Sequence, residues 1–405
     1  MRVCILGTGT ASAVSLLTMI SRTTQLTHKM LSIDVIHDPK IPSIQVGEAT
    51  STKLYEYLFR ILCFDITEDI KEFNGTLKWS SKFFWKLANG NEFKVMVANP
   101  GLHIDSTLLS SYVMKEVSKI YPQFKIIEDN VINLEQNEFK VRVSCNNYVQ
   151  TYDLVVDCRG MPSSEELKSN DYLKPANQFI NSVILYPEFK SYKEEFTSSH
   201  VHKDGWMFGI PLQHRKTWGY LYNTNYTSEK NALKLFSKIK NIETTELRKF
   251  SWQQYYRKKA MENRILYLGN RLYFFDPSGA VPIFYYFRVM ETVISEIQKN
   301  VPIQQINENV NKYHLNSIEK VQDFISYLYS GDNNIKSDFW ITSKKIAVER
   351  LKNSKEFCSW AKNNSSFIID PYWDIDAASM LQYQKGLKIN MHQFFDDHIK
   401  SFTFQ

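Results

Sequence analysis

The first fourteen residues constrain the fold more than any other stretch. Val3 to Leu6 form a short apolar run, Gly7 and Gly9 interrupt it, and a helical pattern covers Ala11–Ile20. A strand, a glycine turn and a helix in that order aim backbone N–H groups and a helix N-terminus at a pyrophosphate. Glycine suits the turn because a Cβ would hold phosphates away from the backbone. Ser12 stands at the third glycine position. Directly after a buried-type strand, the pattern predicts a βαβ dinucleotide-binding unit, with Gly7, Gly9, Thr10, Ala11 and Ser12 along the phosphates. The plain alternative is a tight turn between strand and helix.

A second apolar run, Leu31 to Asp38, ends in an acid. In a βαβ unit that acid accepts hydrogen bonds from the adenosine ribose, which makes Asp38 the candidate, against a solvated turn aspartate before Pro39. The rest of the composition is that of a globular protein, with 43% hydrophobic and 23% charged residues, so a sizeable core is expected. The net charge of +6 is spread along 405 residues without a nucleic-acid motif, which argues against a nucleic-acid partner. Cys4, Cys63, Cys145, Cys158 and Cys358 are odd in number and form no Cys-x-x-Cys pair. They read as buried free thiols in a reducing compartment, without a metal site. The first strand begins too early for a leader, and no apolar run approaches the roughly 20 residues of a membrane span. A cytoplasmic protein with no membrane partner is expected.

Further along, a helical pattern runs from His103 to Ile120, with Leu108, Leu109, Tyr112, Val113 and Val117 on its apolar face. Strand patterns cover Lys125–Ile132, Glu138–Val143 and Tyr148–Tyr152, then a buried run closes in Asp157-Cys158-Arg159-Gly160. Apolar strand signals recur at Asp204–Leu212, Gly219–Tyr222 and Asn263–Pro277, and the last third is helical in pattern.

Several of these stretches resemble, in order, the flavin-dependent tryptophan halogenases. Val46-Gly47-Glu48-Ala49-Thr50 is similar to the signature after their second strand. In that alignment His37 stands where the family has a ribose-binding glutamate, which shifts that role to Asp38. The family's proline two residues after the signature is Thr52 here. Gly75 to Trp85 resembles the stretch that carries the family's catalytic lysine, which falls on Lys78. Read alone, Lys78 is a strand lysine facing water, or one partly desolvated between Leu77 and Trp79. Asp157-Cys158 resembles the second FAD contact, with Arg159 replacing a small residue. Gly205 to Pro211 is similar to the block that separates substrate from flavin, with Trp206 retained and Phe208 in place of a second tryptophan; Gly219 to Tyr222 matches its paired strand. Gly269 through Asp276 and Pro277 resembles the third FAD contact. The helical stretch Glu319 to Tyr329, with Ser337 to Trp340 after it, is also similar, Leu328 replacing a histidine.

The resemblance implies an α/β fold: an FAD-binding Rossmann-like core of the flavin monooxygenase type, a β-sheet substrate region and a helical C-terminal cap. Residues 1–300 are expected to interleave the FAD module and the substrate sheet, and 301–405 to cap the substrate cavity. It implies FAD contacts at Gly7, Gly9, Thr10, Ala11, Ser12, Asp38, Ala49, Asp157, Gly269, Asp276 and Pro277. Substrate or tunnel roles fall on Glu48, Trp206, Phe208 and Pro211. Reduced FAD, oxygen and halide would yield hypohalous acid, which Lys78 delivers to an electron-rich, indole-like arene. Without a second nicotinamide motif, reduced flavin is expected from a separate reductase, and homo-oligomerisation is left open. The family glutamate that assists the arene step falls on Gly279, and its halide-binding Thr-Gly pair on Val281 and Pro282. Proline has no N–H, so one halide donor is missing. These changes admit two rival readings: an aromatic monooxygenase, and a non-catalytic flavoprotein.

Overall fold

The computed structural model describes residues 1–23, 31–41, 47–86, 92–243, 247–333, 335–362 and 377–394. Val46 of the signature stretch lies outside them. The N-terminal run becomes β1 (Arg2–Leu6), fully buried from Val3 onward. A strand apolar on both sides belongs inside a sheet covered on both faces. Then follow α1 (Thr10–Thr23), β2 (Ser32–His37), β3 (Gly47–Ala49) and α2 (Thr52–Leu62). Ser51 caps α2 by accepting the Lys53 amide, so Thr52 opens the helix in the proline's place.

β4 (Thr76–Lys86) and β5 (Glu92–Asp105) pair antiparallel, and α3 (Ser106–Ile120) leaves directly from β5. The helix thus starts three residues later than the pattern from His103 suggests. Asp105 is its cap, accepting the amides of Thr107 and Leu108, while His103 to Asp105 pair with β3. The strand expected over 125–132 is in fact two: β6 (Phe124–Glu128) and β7 (Val131–Gln136). The break is an aspartate–asparagine turn. The Asp129 amide bonds the His37 carbonyl, and its carboxylate accepts the Asn130 amide. β8 (Val141–Cys145) and β9 (Val149–Tyr152) complete a meander with β7, and β10 (Leu154–Asp157) returns to the centre.

β11 (Tyr172–Leu173) precedes a second run of long strands, β12 (Ser182–Glu188), β13 (Phe196–His202), β14 (Gly205–Pro211) and β15 (Lys216–Tyr222). Then come α4 (Glu229–Lys240), β16 (Arg248–Ser251), β17 (Tyr255–Arg257), β18 (Met261–Glu262), β19 (Ile265–Tyr267) and β20 (Tyr273–Phe274). The described helices that follow are α5 (Val281–Gln298), α6 (Ile303–Tyr329), α7 (Asp338–Asn353), α8 (Lys355–Lys362) and α9 (Ala377–Gly386).

Two large sheets result. The six-stranded one runs β18-β19-β10-β1-β2-β6, with β19, β10, β1, β2 and β6 mutually parallel. The eight-stranded one runs β16-β12-β15-β14-β13-β4-β5-β3. Its strands come from 47–105 and 182–251, between segments of the first sheet, so the chain passes back and forth between the two sheets. α1 packs against α2, α3 and α5. Cys4, Cys145 and Cys158 are buried as expected, but Cys358 is only half-buried and Cys63 is exposed because it forms the left-handed end of α2 at the surface. Among the described residues no helix is long and apolar enough to cross a membrane.

α5 is seated on α2 by Phe287, fully buried and stacked on Tyr57 at 4.6 Å between ring centroids. Phe287→Ala removes that stack and leaves a cavity, so the urea-unfolding free energy should fall by about 3–5 kcal/mol. A loss under about 1 kcal/mol would mean the helix seats without it.

Candidate active site

The parallel register gathers the nucleotide-binding candidates on one edge. Leu6 lies opposite Ile36 of β2 on one side and Asp157 of β10 on the other. Gly7, Asp38 and Cys158 therefore all emerge at the C-terminal ends of adjacent strands, the place where α/β sheets bind ligands. Gly7 has φ +98°, and a Cβ there would sit 2.9 Å from the Cys158 carbonyl oxygen. At Gly9 a Cβ would meet nothing within 4 Å. The first glycine thus serves strand packing, and the second leaves a gap in front of α1. The Gly9 carbonyl accepts the Ser12 and Ala13 amides, so the amides of Thr10 and Ala11 precede the helix's first internal bonds. Ser12 is fully buried in the helix. Gly269, after β19, brings its own Cβ position within 2.7 Å of the Ala11 Cβ. Asp38 stands just past β2, where its carboxylate accepts the Lys40 amide.

Asp157 is fully buried and holds a cation. Its carboxylate accepts from Arg159 Nε at 2.9 Å and Nη2 at 2.8 Å, with Arg271 Nε at 3.5 Å. Arg271 in turn grips Glu166 and holds that carboxyl down at about 2. What Asp157 presents to the edge is therefore an arginine pair, which the sequence pattern did not reveal. Glu48 lies at the same edge, because its Oε1 accepts the Thr10 hydroxyl at 3.0 Å. Burial pushes the Glu48 carboxyl up, and hydrogen bonds from Thr10 and Ser106 oppose it. Ala49, the next residue of β3, is buried opposite His103.

Lys78, on β4, meets the Thr50 end of the Val46–Thr50 stretch in space. It is 1% exposed although its neighbour Trp79 is 58% exposed. Its Nζ donates to the Thr50 carbonyl at 2.8 Å. A break in strand pairing makes that approach. Lys78 pairs with Gly101 but Ser80 pairs with Ala98, so two residues, Asn99 and Pro100, bulge opposite Trp79. Proline fits a bulge, where no ladder amide is needed. A Cβ on Gly101 would lie 2.2 Å from the Thr50 oxygen, so only glycine admits the chain that carries Lys78's acceptor.

His103 lies beside this lysine and is fully buried. The Thr76 hydroxyl donates its one proton to the Pro211 carbonyl at 2.8 Å. His103 Nδ1 must then donate to Thr76 Oγ1 (3.0 Å), leaving Nε2 to accept from Thr197 Oγ1 (2.9 Å). Burial, then the charges of Lys78 and Lys216, push the imidazole pKa well below its usual value. It is a fixed neutral neighbour for Lys78. Sequence reading placed His103 at a helix start and missed it.

A third group forms around Asp276. Its Oδ1 accepts the Ser278 amide and hydroxyl, and its Oδ2 accepts the Tyr329 hydroxyl at 2.7 Å. Tyr329 also accepts the Trp206 indole N–H at 3.0 Å. Phe208, two residues on in β14, lies over Gly219, where a Cβ would come 2.1 Å from its ring. Gly279 and Ala280 are both left-handed, with φ +82° and +54°, before α5 starts at Val281. Pro282 occupies the first turn of α5, where the missing amide has no helical partner to lose. At Gly279, where the resemblance implied a glutamate, the space is filled: a Cβ would lie 2.3 Å from the Phe324 ring of α6.

The glycine gap, the helix N-terminus and the adjoining Gly269 fit a dinucleotide such as FAD. Among the described residues no group of three His, Cys, Asp or Glu is placed to hold a metal.

The family model described as tryptophan halogenase matches residues 2–136 and 86–370. Tryptophan 7-halogenase RebH of Lentzea aerocolonigenes is 20% identical over 269 residues, 62% of this chain and 50% of that protein. The chain thus spans about half the length of the curated relatives it matches. A tryptophan halogenase structure from Shewanella frigidimarina superposes with a TM-score of 0.82 at 17% identity, covering 99% of this chain and 91% of that one. BrvH, a flavin-dependent halogenase from Brevundimonas sp. BAL3, gives 0.79 at 17% identity, covering 96% and 90%. The fold is therefore that of the flavin-dependent halogenases.

Because Phe324 fills the space at Gly279, Gly279→Glu should not install a working carboxylate. It should lower unfolding free energy by about 2–4 kcal/mol, through overpacking and a side chain at positive φ. Adding Phe324→Ala to Gly279→Glu should cost less than the sum of the two single changes. Simple additivity in chemical melts would show that the two sites do not meet.

Proposed function

The chain belongs to the tryptophan halogenase family, and on that footing we propose that it is an FAD-dependent halogenase acting on an electron-rich, indole-like arene. The observation that carries this is Lys78: a lysine buried to 1% exposure, with its ammonium directed at the Thr50 carbonyl.

The residues that would hold FAD are Gly7, Gly9, Thr10 and Ala11 at the phosphates, Asp38 at the ribose, and Gly269, Asp276 and Pro277 toward the flavin. FAD would supply the redox chemistry that, with oxygen, turns halide into hypohalous acid, and a separate reductase would return it to the reduced form. The chain's own work is to hold and deliver the oxidant. A positioned N–H donor polarises the halogen toward attack, and a dry site strengthens that effect. Lys78 can do this by a hydrogen bond to the hypohalous acid. Its neutral form can instead take the halogen on nitrogen, releasing water. His103, locked neutral between two threonines, adds no second charge beside it. The arene then attacks the halogen and loses a proton. Lacking a glutamate at 279, the site would leave that proton to water. Trp206 and Phe208 would separate the arene from the flavin, and helices of 301–405 would cap the cavity.

Aromatic hydroxylation is the second reading, favoured by Phe208 and the glutamate-free Gly279. Mass spectrometry of indole incubated with reductase, FAD and bromide separates them by a bromine isotope doublet or an added oxygen. Lys78→Ala should cut halogenated product by about 10²–10⁴ while leaving FAD affinity unchanged. Brominated product at the wild-type rate would remove Lys78 from the mechanism. The altered turn before Pro282 should also favour larger, more easily oxidised halides. Iodide and bromide should outcompete chloride in mixed-halide assays; preference for chloride over both would contradict this.

A further inference from the structure

Tyr329 stands at the junction of three parts of the molecule. It is the last residue of α6, its ring stacks on Phe179 at 4.0 Å and Trp340 at 5.6 Å, and its hydroxyl is fully enclosed. The direction of its hydrogen bonds follows from valence. An indole N–H can only donate, so the Tyr329 oxygen accepts from Trp206 and its single proton must go to Asp276 Oδ2. Asp276 then receives three donors, two from Ser278 and one from Tyr329. Burial pushes the Asp276 carboxyl up, and these three donors from Ser278 and Tyr329 oppose it by favouring the carboxylate. Asp276 is followed by the two left-handed residues Gly279 and Ala280, and a left-handed alanine costs of order 1–3 kcal/mol unless its surroundings hold it.

We infer that Tyr329 is a positioning residue: its hydroxyl fastens the Asp276–Ala280 turn, and with it the N-terminus of α5, to Trp206 of the large sheet. The inference rests on the proposal that this turn faces FAD. Sheet, cap helix and turn are then held at one oxygen atom, and a cofactor pressing on the turn would be felt at the Trp206 indole.

The test uses the full chain labelled with ¹⁵N at the tryptophan indoles, the Trp206 signal being assigned with Trp206→Phe. FAD should shift the Trp206 N–H in the wild type. In Tyr329→Phe, which keeps the ring between Phe179 and Trp340, that FAD-dependent shift should be lost. FAD should also bind about tenfold more weakly, the loss expected for one hydrogen bond to a charged group. An unchanged shift and affinity in Tyr329→Phe would overturn the inference while leaving the FAD reading intact. A wild-type chain that binds no FAD would overturn both. Should Tyr329→Phe not fold, Trp206→Phe carries the affinity test. It should weaken FAD by at least about threefold, and no change would count against the role.

Discussion

The structure depends on a close approach between two strand ends. β1 and β10 run side by side, and where β1 stops, the chain turns within a Cβ's reach of the Cys158 carbonyl. Only a residue without a side chain can make that turn, and its φ of +98° asks for glycine as well. Everything on the nucleotide edge inherits its place from there. α1 starts at a fixed distance from β10, Gly269 reaches Ala11, and Thr10 reaches Glu48. A bulkier residue at position 7 would push apart the two central strands of the sheet, not merely narrow a binding site.

Glu48 also leads to the second centre. β3 is only three residues long, yet Glu48 within it touches α1 and Thr50 just beyond it accepts the buried ammonium of Lys78. The nucleotide edge and the lysine are thus joined by two peptide units of backbone. The crossing over Gly101 fixes where the strand can pass.

Much of this was legible in the sequence, and the gaps have physical causes. Val3 to Leu6 and Leu154 to Val156 are runs apolar on both sides, a pattern few other elements produce, and both became central parallel strands. The start of α3 was misplaced because His103 to Asp105 continue the apolar spacing while hydrogen-bonding as a strand. Only the Asp105 cap marks the change. The strand break at Asp129 carries a turn signature that the surrounding isoleucines mask. Lys78 could be read as exposed or desolvated, since its burial depends on Thr50 crossing a glycine more than twenty residues away. Tyr329 looked like one aromatic of a helix face, and no local pattern says that its hydroxyl meets an aspartate 53 residues earlier. The site residues missed, His103 and Tyr329, are the ones placed by long-range contact.

The bulge at Asn99 and Pro100 has a consequence for how this fold can vary. Beyond it the two strands of the hairpin continue in a register of their own, set by the Ser80–Ala98 pair and not by the Lys78–Gly101 pair. The irregularity acts as a joint: it separates the part of the hairpin that carries the lysine from the part that ends in the tip. Pairs of residues could be gained or lost toward the tip without turning Lys78 to the other face of the sheet. Ser80 to Phe84 are themselves held by pairing to β13, so only the stretch past Phe84 is free to diverge in length while the buried ammonium stays where the Thr50 carbonyl meets it.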